Sequence, residues 1–174
     1  MQELTQMAVG HGAITAKIIE VGQIVFDPSY RRHCEANYCG KYNTNYGCPP
    51  NAGTSDEVIA RAKGYTHALV YFTLHQVSDY RDTKETQQAA REHWKIANCI
   101  EQEISAKTLE YLRLGVGACL RCPCCAKETE EPCRGRVVSS ISAYCIDAAR
   151  LAALCGVCLS PEAGKLIYIG LILY

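Results

Sequence analysis

The chain has 174 residues, twelve of them cysteine, with 18 Lys and Arg against 18 Asp and Glu and a formal net charge of zero. A neutral chain with no long run of one sign lacks the electrostatic footprint of a nucleic-acid binder, so neither nucleic acid nor a charged membrane face is an expected partner. At 48% hydrophobic and 21% charged it has a globular composition, and the length suits one domain, residues 1–174, with its own core.

Residues 3–9 have the pattern of a short helix ended by Gly10 and Gly12. The apolar segment 13–26, broken near Gly22, predicts one or two strands. From 28 to 53 the chain is rich in Asn, Tyr, Gly and Pro and has no sustained apolar period, which predicts a long irregular loop, and loops of that length commonly carry function. Thr54 and the acidic residues after it cap a helix through about Ala62, stopped by Gly64, and a strand follows at 67–74. Residues 84–114 contain no Gly or Pro, and Ala90, Trp94, Ala97, Ile100 and Ile104 recur at helical spacing, so a long amphipathic helix is expected there, ended by Gly115 and Gly117. A second cysteine-rich segment covers 119–133. Ser139 or Ser140 is the expected cap of a helix to about Leu154, stopped by Gly156, and residues 166–173 read as a final buried strand. That last apolar run is far short of the ~20 residues a membrane-spanning helix needs. The expected fold is α/β: a small mixed sheet with packed helices and two cysteine-rich metal-binding loops. The strands at 13–21, 67–74 and 166–173 are expected in one sheet, partly parallel, with the long helix packed on it.

The N-terminal dozen residues lack the basic start, apolar run and cleavage site of a secretory signal, so the expected location is the reducing cytoplasm. There, twelve thiols point to metal ligation, redox chemistry or apolar packing rather than to a disulfide framework.

The sharpest pattern is Cys119, Cys122 and Cys125, a C-x2-C-x2-C run followed by Cys133. This spacing lets successive turns of a loop offer three thiolates to three irons of a cubane while a more distant cysteine takes the fourth. Zinc, the competing reading, usually takes two well-separated C-x2-C knuckles. Cys124 is an alternative to Cys125. The second constellation is Cys34, Cys39 and Cys48, closed by Pro49-Pro50, with Tyr38, Tyr42 and Tyr46 placed to shield it. Three thiolates leave one position open for a substrate, sulfide, water or a protein ligand such as His33. Arg31, Arg32, Arg121, Arg134 and Arg136 flank the two motifs and would offset the charge of anionic centres. Cys99, Cys145, Cys155 and Cys158 read as core packing, because an unpaired cysteine behaves as a small hydrophobe.

Taken together, the Cys34, Cys39, Tyr42, Cys48-Pro49-Pro50 loop, the Cys119, Cys122, Cys125 run, Pro132-Cys133-Arg134, and Ser140 with Ala143-Tyr144 and Ile146-Asp147 resemble a family of predicted metal-binding proteins, the domain of unknown function 2284. The resemblance implies a prokaryotic metal protein and groups the seven cysteines together, but supplies no reaction. This chain departs from the family pattern in a shorter region after Arg134, in Ser142 where an acidic residue is usual, and in Cys145 where glycine is usual.

The leading expectation is an iron-sulfur protein for electron transfer. A [4Fe-4S] cluster would sit on Cys119, Cys122, Cys125 and Cys133 and a second cluster on Cys34, Cys39 and Cys48, with a redox partner protein supplying or taking electrons. The alternatives are an enzyme that uses the open iron for substrate or sulfur chemistry, and a structural zinc protein. The two loops are expected to converge, within one chain or across a homodimer built on edge pairing of the last strand.

Overall fold

A computed structural model describes residues 2–107, 110–159 and 164–174. The described elements, in order, are α1 (Gln2–Gly10), β1 (Thr15–Glu20), α2 (Arg31–Glu35), α3 (Ser55–Lys63), β2 (His67–Gln76), α4 (Thr83–Lys107), β3 (Leu112–Gly115), β4 (Ser139–Ser140), α5 (Ala148–Leu154) and β5 (Lys165–Leu173). The five strands form one mixed sheet in the order β1-β2-β5-β3-β4. The three strands expected from sequence are antiparallel neighbours in it, and the parallel pairing is β3 with β4 alone.

Strand β2 carries a continuous apolar run because both of its faces are covered. Ala68, Leu69, Val70, Tyr71 and Phe72 are all fully buried. Leu69 and Tyr71 pack with Ala8 of α1 and with Ala97, Ile100 and Ile104 of α4. Ala68, Val70 and Phe72 face the other way, onto Val58 and Ala62 of α3 and Leu151 and Ala152 of α5. The alternation of side chains along a strand thus divides the core into two layers of helix on one sheet. Gly170 of β5 lies opposite Tyr71, and a Cβ there would stand 2.0 Å from the ring, so only glycine gives Tyr71 its place.

Three boundaries differ from the expectation. The long helix stops at Lys107, and Leu112–Gly115 leaves it to become β3. Tyr111 to Leu114 alternates, and the exposed edge of β5 outbids helix propensity by offering ladder bonds and a buried place for Leu114. Ser139 and Ser140 form β4 rather than a helix cap; Asp147 caps α5 instead, its Oδ1 accepting the Arg150 N–H at 3.0 Å. The loop 28–53 contains the short helix α2, which carries Cys34. The C-terminal strand is central, paired along its whole length with β2 and at Leu171, Ile172 and Leu173 with β3. No described helix is long and apolar enough to cross a membrane.

Candidate metal centre

The first cysteine loop is held by its own polar residues and by one buried arginine. Asp27 Oδ1 accepts the Ser29 N–H at 2.8 Å and starts the turn that leads into α2. Arg31 is 6% exposed, and its guanidinium donates to the Ala143 carbonyl at 3.1 Å and to the Gly53 carbonyl. Expected as a flanking charge, it ties α2 to both the end of the loop and the segment before α5. Cys34 follows, half-buried. Asn37, at φ 53°, turns the chain and accepts the Tyr42 N–H at 2.9 Å, leaving Cys39 exposed at the bend. Asn45 is buried, receives the Gly47 N–H at 2.9 Å and donates Nδ2 to the Cys48 sulfur at 3.3 Å.

Burial pushes the thiols of Cys34 and Cys48 up; beside Cys34, Arg31 pulls down and the thiols of Cys39 and Cys145 push up. At Cys48 the Asn45 bond opposes burial, while Cys39, Cys34 and Cys119 add to it. Thiols in this state become ligands when a cation replaces the proton. Cys119 belongs to the second loop, so the two motifs lie within electrostatic reach of each other.

The second loop leaves β3 at Gly115. The Trp94 indole N–H fixes its first turn by donating to the Val116 carbonyl at 3.3 Å. Arg121 does most of the rest. Its Nε donates to the Arg136 carbonyl at 2.8 Å, closing the loop on itself, and its terminal nitrogen pairs with Glu101 of α4. Glu101 also takes Arg113 at 2.7 Å, with side chains 6% and 3% exposed. Burial works against ionisation of Glu101, but the bonds from Arg121 and Arg113 outweigh it and hold the carboxyl below its usual range. Arg134 pairs with Glu131 at 3.6 Å, and Arg136 stacks over Tyr111 at 4.4 Å.

The loops meet in two places. The Tyr46 hydroxyl donates to the Glu131 carbonyl at 2.7 Å. Gly47 presses on Val138, whose carbonyl would lie 2.2 Å from a Cβ, so the first loop could not sit there with any larger residue. Two cavities flank this junction. One, of about 370 Å³, is lined by Cys119, Cys122, Cys124, Cys125 and Cys133 together with Tyr46 and Gly47. The other, of about 570 Å³, is lined by Cys34, Cys39 and Cys48 and reaches the first turns of α4. Ala118 and Leu120 line the second cavity and Cys119 the first, so a single stretch of chain forms the wall between them.

All twelve cysteines are free thiols. Among the described residues no three cysteine, histidine or acidic side chains converge on a point that would hold one metal ion. Cys124 is exposed and its thiol bonds Glu128 Oε2 at 3.1 Å, whereas Cys125 opens the turn Ala126–Thr129. His33 lies on the exposed side of α2 with its ring 5.9 Å from that of Tyr30. Tyr38 is 91% exposed at the rim of the Cys34, Cys39 and Cys48 cavity, while Tyr42 and Tyr46 are half-buried. Core packing holds for buried Cys145 and partly for Cys155; Cys99 and Cys158 are exposed, contrary to expectation. Asn45, Gly47 and Glu101 were not marked by the cysteine motifs. Glu101 alone left a signal, an acidic residue on the apolar stripe of α4 beside Ala97, Ile100 and Ile104.

The thiols of the two motifs thus line two adjoining cavities. The chain belongs to the family described as predicted metal-binding protein (DUF2284), whose model matches residues 17–174. No curated protein and no solved structure matches the chain.

Proposed function

We propose that this metal-binding protein is an iron-sulfur protein of electron transfer, with a [4Fe-4S] cluster held by Cys119, Cys122, Cys125 and Cys133 and a second cluster at Cys34, Cys39 and Cys48. The observation that carries the reading is the pair of thiol-lined cavities sharing one wall at residues 118–120. Adjacent centres exchange electrons with each other, and a redox partner protein would dock where the exposed Cys122 and Cys133 bring one centre to the surface.

The donor set fits the group. Cys119, Cys122, Cys125 and Cys133 line one cavity, and the C-x2-C-x2-C spacing with a more distant fourth cysteine suits a cage of several metal atoms, each taking one sulfur. Cys125 is favoured over Cys124 as ligand because the Cys124 thiol is committed to a carboxylate. When bound, the clusters supply one-electron chemistry. The chain's part is to exclude water with Tyr46, to hold the loop shape through Arg121 and to donate a hydrogen bond from Asn45 to the Cys48 sulfur, which would raise a cluster's potential.

Anaerobic purification with iron, zinc and sulfide analysis and electron paramagnetic resonance tests this. Iron and sulfide in equal amounts, with two reducible centres, is the expected result. Cys119→Ala, Cys122→Ala or Cys133→Ala should remove one centre and Cys34→Ala or Cys48→Ala the other, whereas Cys155→Ala and Cys158→Ala should keep both. Zinc without iron or sulfide would refute the proposal in favour of a structural zinc protein.

A further inference from the structure

We infer that the larger cavity is the binding site of a small organic acid, whose carboxylate is held by Lys41 and Arg91 alongside the three thiols of Cys34, Cys39 and Cys48. The inference rests on the metal-site reading only for what the three thiols carry; the anion site itself is argued from the chain. The cavity, about 570 Å³, is of the size that takes a small molecule. Lys41 and Arg91 are the charged residues in its wall, and no carboxylate lines it among the described residues.

Of the arginines flanking the two loops, Arg31 binds two carbonyls, Arg121 binds Glu101 and the Arg136 carbonyl, Arg134 pairs with Glu131 and Arg136 stacks on the Tyr111 ring, while Arg32 lies outside the lining of this cavity. Lys41 and Arg91 make no side-chain hydrogen bond or ion pair among the described residues. They approach from different elements, Lys41 from the first cysteine loop and Arg91 from α4. Two unpaired cations facing one concavity favour an anion between them, and the planar fork of Arg91 suits a carboxylate. Pro49, Ala90, Val116 and Leu120 add hydrocarbon to the wall, which calls for a ligand with an apolar part rather than an inorganic ion. The start of α4 is not the anion site, because Asp82 Oδ1 already accepts the Lys84 N–H at 2.7 Å.

The rival account is that Lys41 and Arg91 only balance the charge of a thiolate-bound centre. Calorimetric titration of the anaerobically purified protein with succinate, and separately with inorganic phosphate, distinguishes the two. Saturable succinate binding is expected, weakened about tenfold or more in Lys41→Gln and in Arg91→Gln with thermal stability unchanged, and accompanied by a perturbed resonance signal from one centre. Both replaced side chains are exposed and unpaired, so the variants should fold. Absence of saturable binding in protein that carries full iron and sulfide overturns the anion site while leaving the metal reading intact. Succinate bound through Lys41 and Arg91 by metal-free protein supports the anion site even where the metal analysis refutes the cluster. Binding of phosphate in preference to succinate, or succinate binding indifferent to both variants, also overturns the inference.

Discussion

His93 should govern much of the loss of stability on mild acidification, and His93→Gln should remove that part. The imidazole, on the buried face of α4, is 1% exposed, stacked on Tyr71 at 5.8 Å, with Nδ1 2.7 Å from the Thr73 hydroxyl, which in turn stands 2.8 Å from His75 Nε2. Burial, with His75 and Arg113 adding to it, pushes its pKa from 6.5 down to about 3. In the folded protein the ring is therefore neutral throughout the working range, while in the unfolded chain it takes a proton below 6.5. Its contribution is complete above the unfolded value and is lost as pH falls through the window from 6.5 toward 3. Between pH 7.5 and 5.5 the factor by which proton binding favours the unfolded chain, one plus its protonated-to-neutral ratio, rises about tenfold, which is about 1.4 kcal/mol. For a chain of this size that corresponds to roughly 3–6 °C in Tm. Glutamine keeps a hydrogen-bonding group for Thr73 but does not titrate. Thermal unfolding of wild type and His93→Gln at both pH values, under anaerobic conditions, reads the difference. An equal fall in Tm for the two proteins would refute the assignment of a buried neutral histidine.

Glu101→Gln should cost about 3–5 kcal/mol in urea denaturation, because it leaves Arg113, 3% exposed, without its counter-charge. The same change frees Arg121 and should lower iron retention at the Cys119 centre, whereas Glu103→Gln, on the exposed side of α4, should do neither. Cys145 sits at φ 57°, so Cys145→Gly relieves about 1–2 kcal/mol of left-handed strain while losing a buried thiol worth roughly 1 kcal/mol. Its Tm should stay close to wild type and its metal content should not change; loss of iron would make Cys145 a ligand.

The sequence alone determined the elements whose information is local. The helix at Ser55–Lys63 has its capping residues Thr54 and Glu57 in place, with reciprocal bonds of 3.3 and 2.7 Å. Strand β2 declares itself by a run of apolar residues buried on both faces. The cysteine spacings gave the metal-binding class, because ligand spacing in a loop is set by the reach of a few bonds.

Other features were decided at long range, and the sequence could not show them. Leu112–Gly115 becomes strand rather than helix because β5 offers it an edge, and β5 is more than fifty residues further along the chain. Ser139 and Ser140 pair with β3 instead of capping a helix for the same reason. Arg31 and Arg121 look alike as flanking charges, yet one binds backbone carbonyls and the other a buried glutamate, since their partners come from other elements. The common wall between the two thiol-lined cavities likewise exists only once Gly47 packs on Val138 and Tyr46 reaches Glu131. Residue type and spacing specify what a side chain offers; the partner that takes the offer is brought there by the packing of the sheet and its two helical layers.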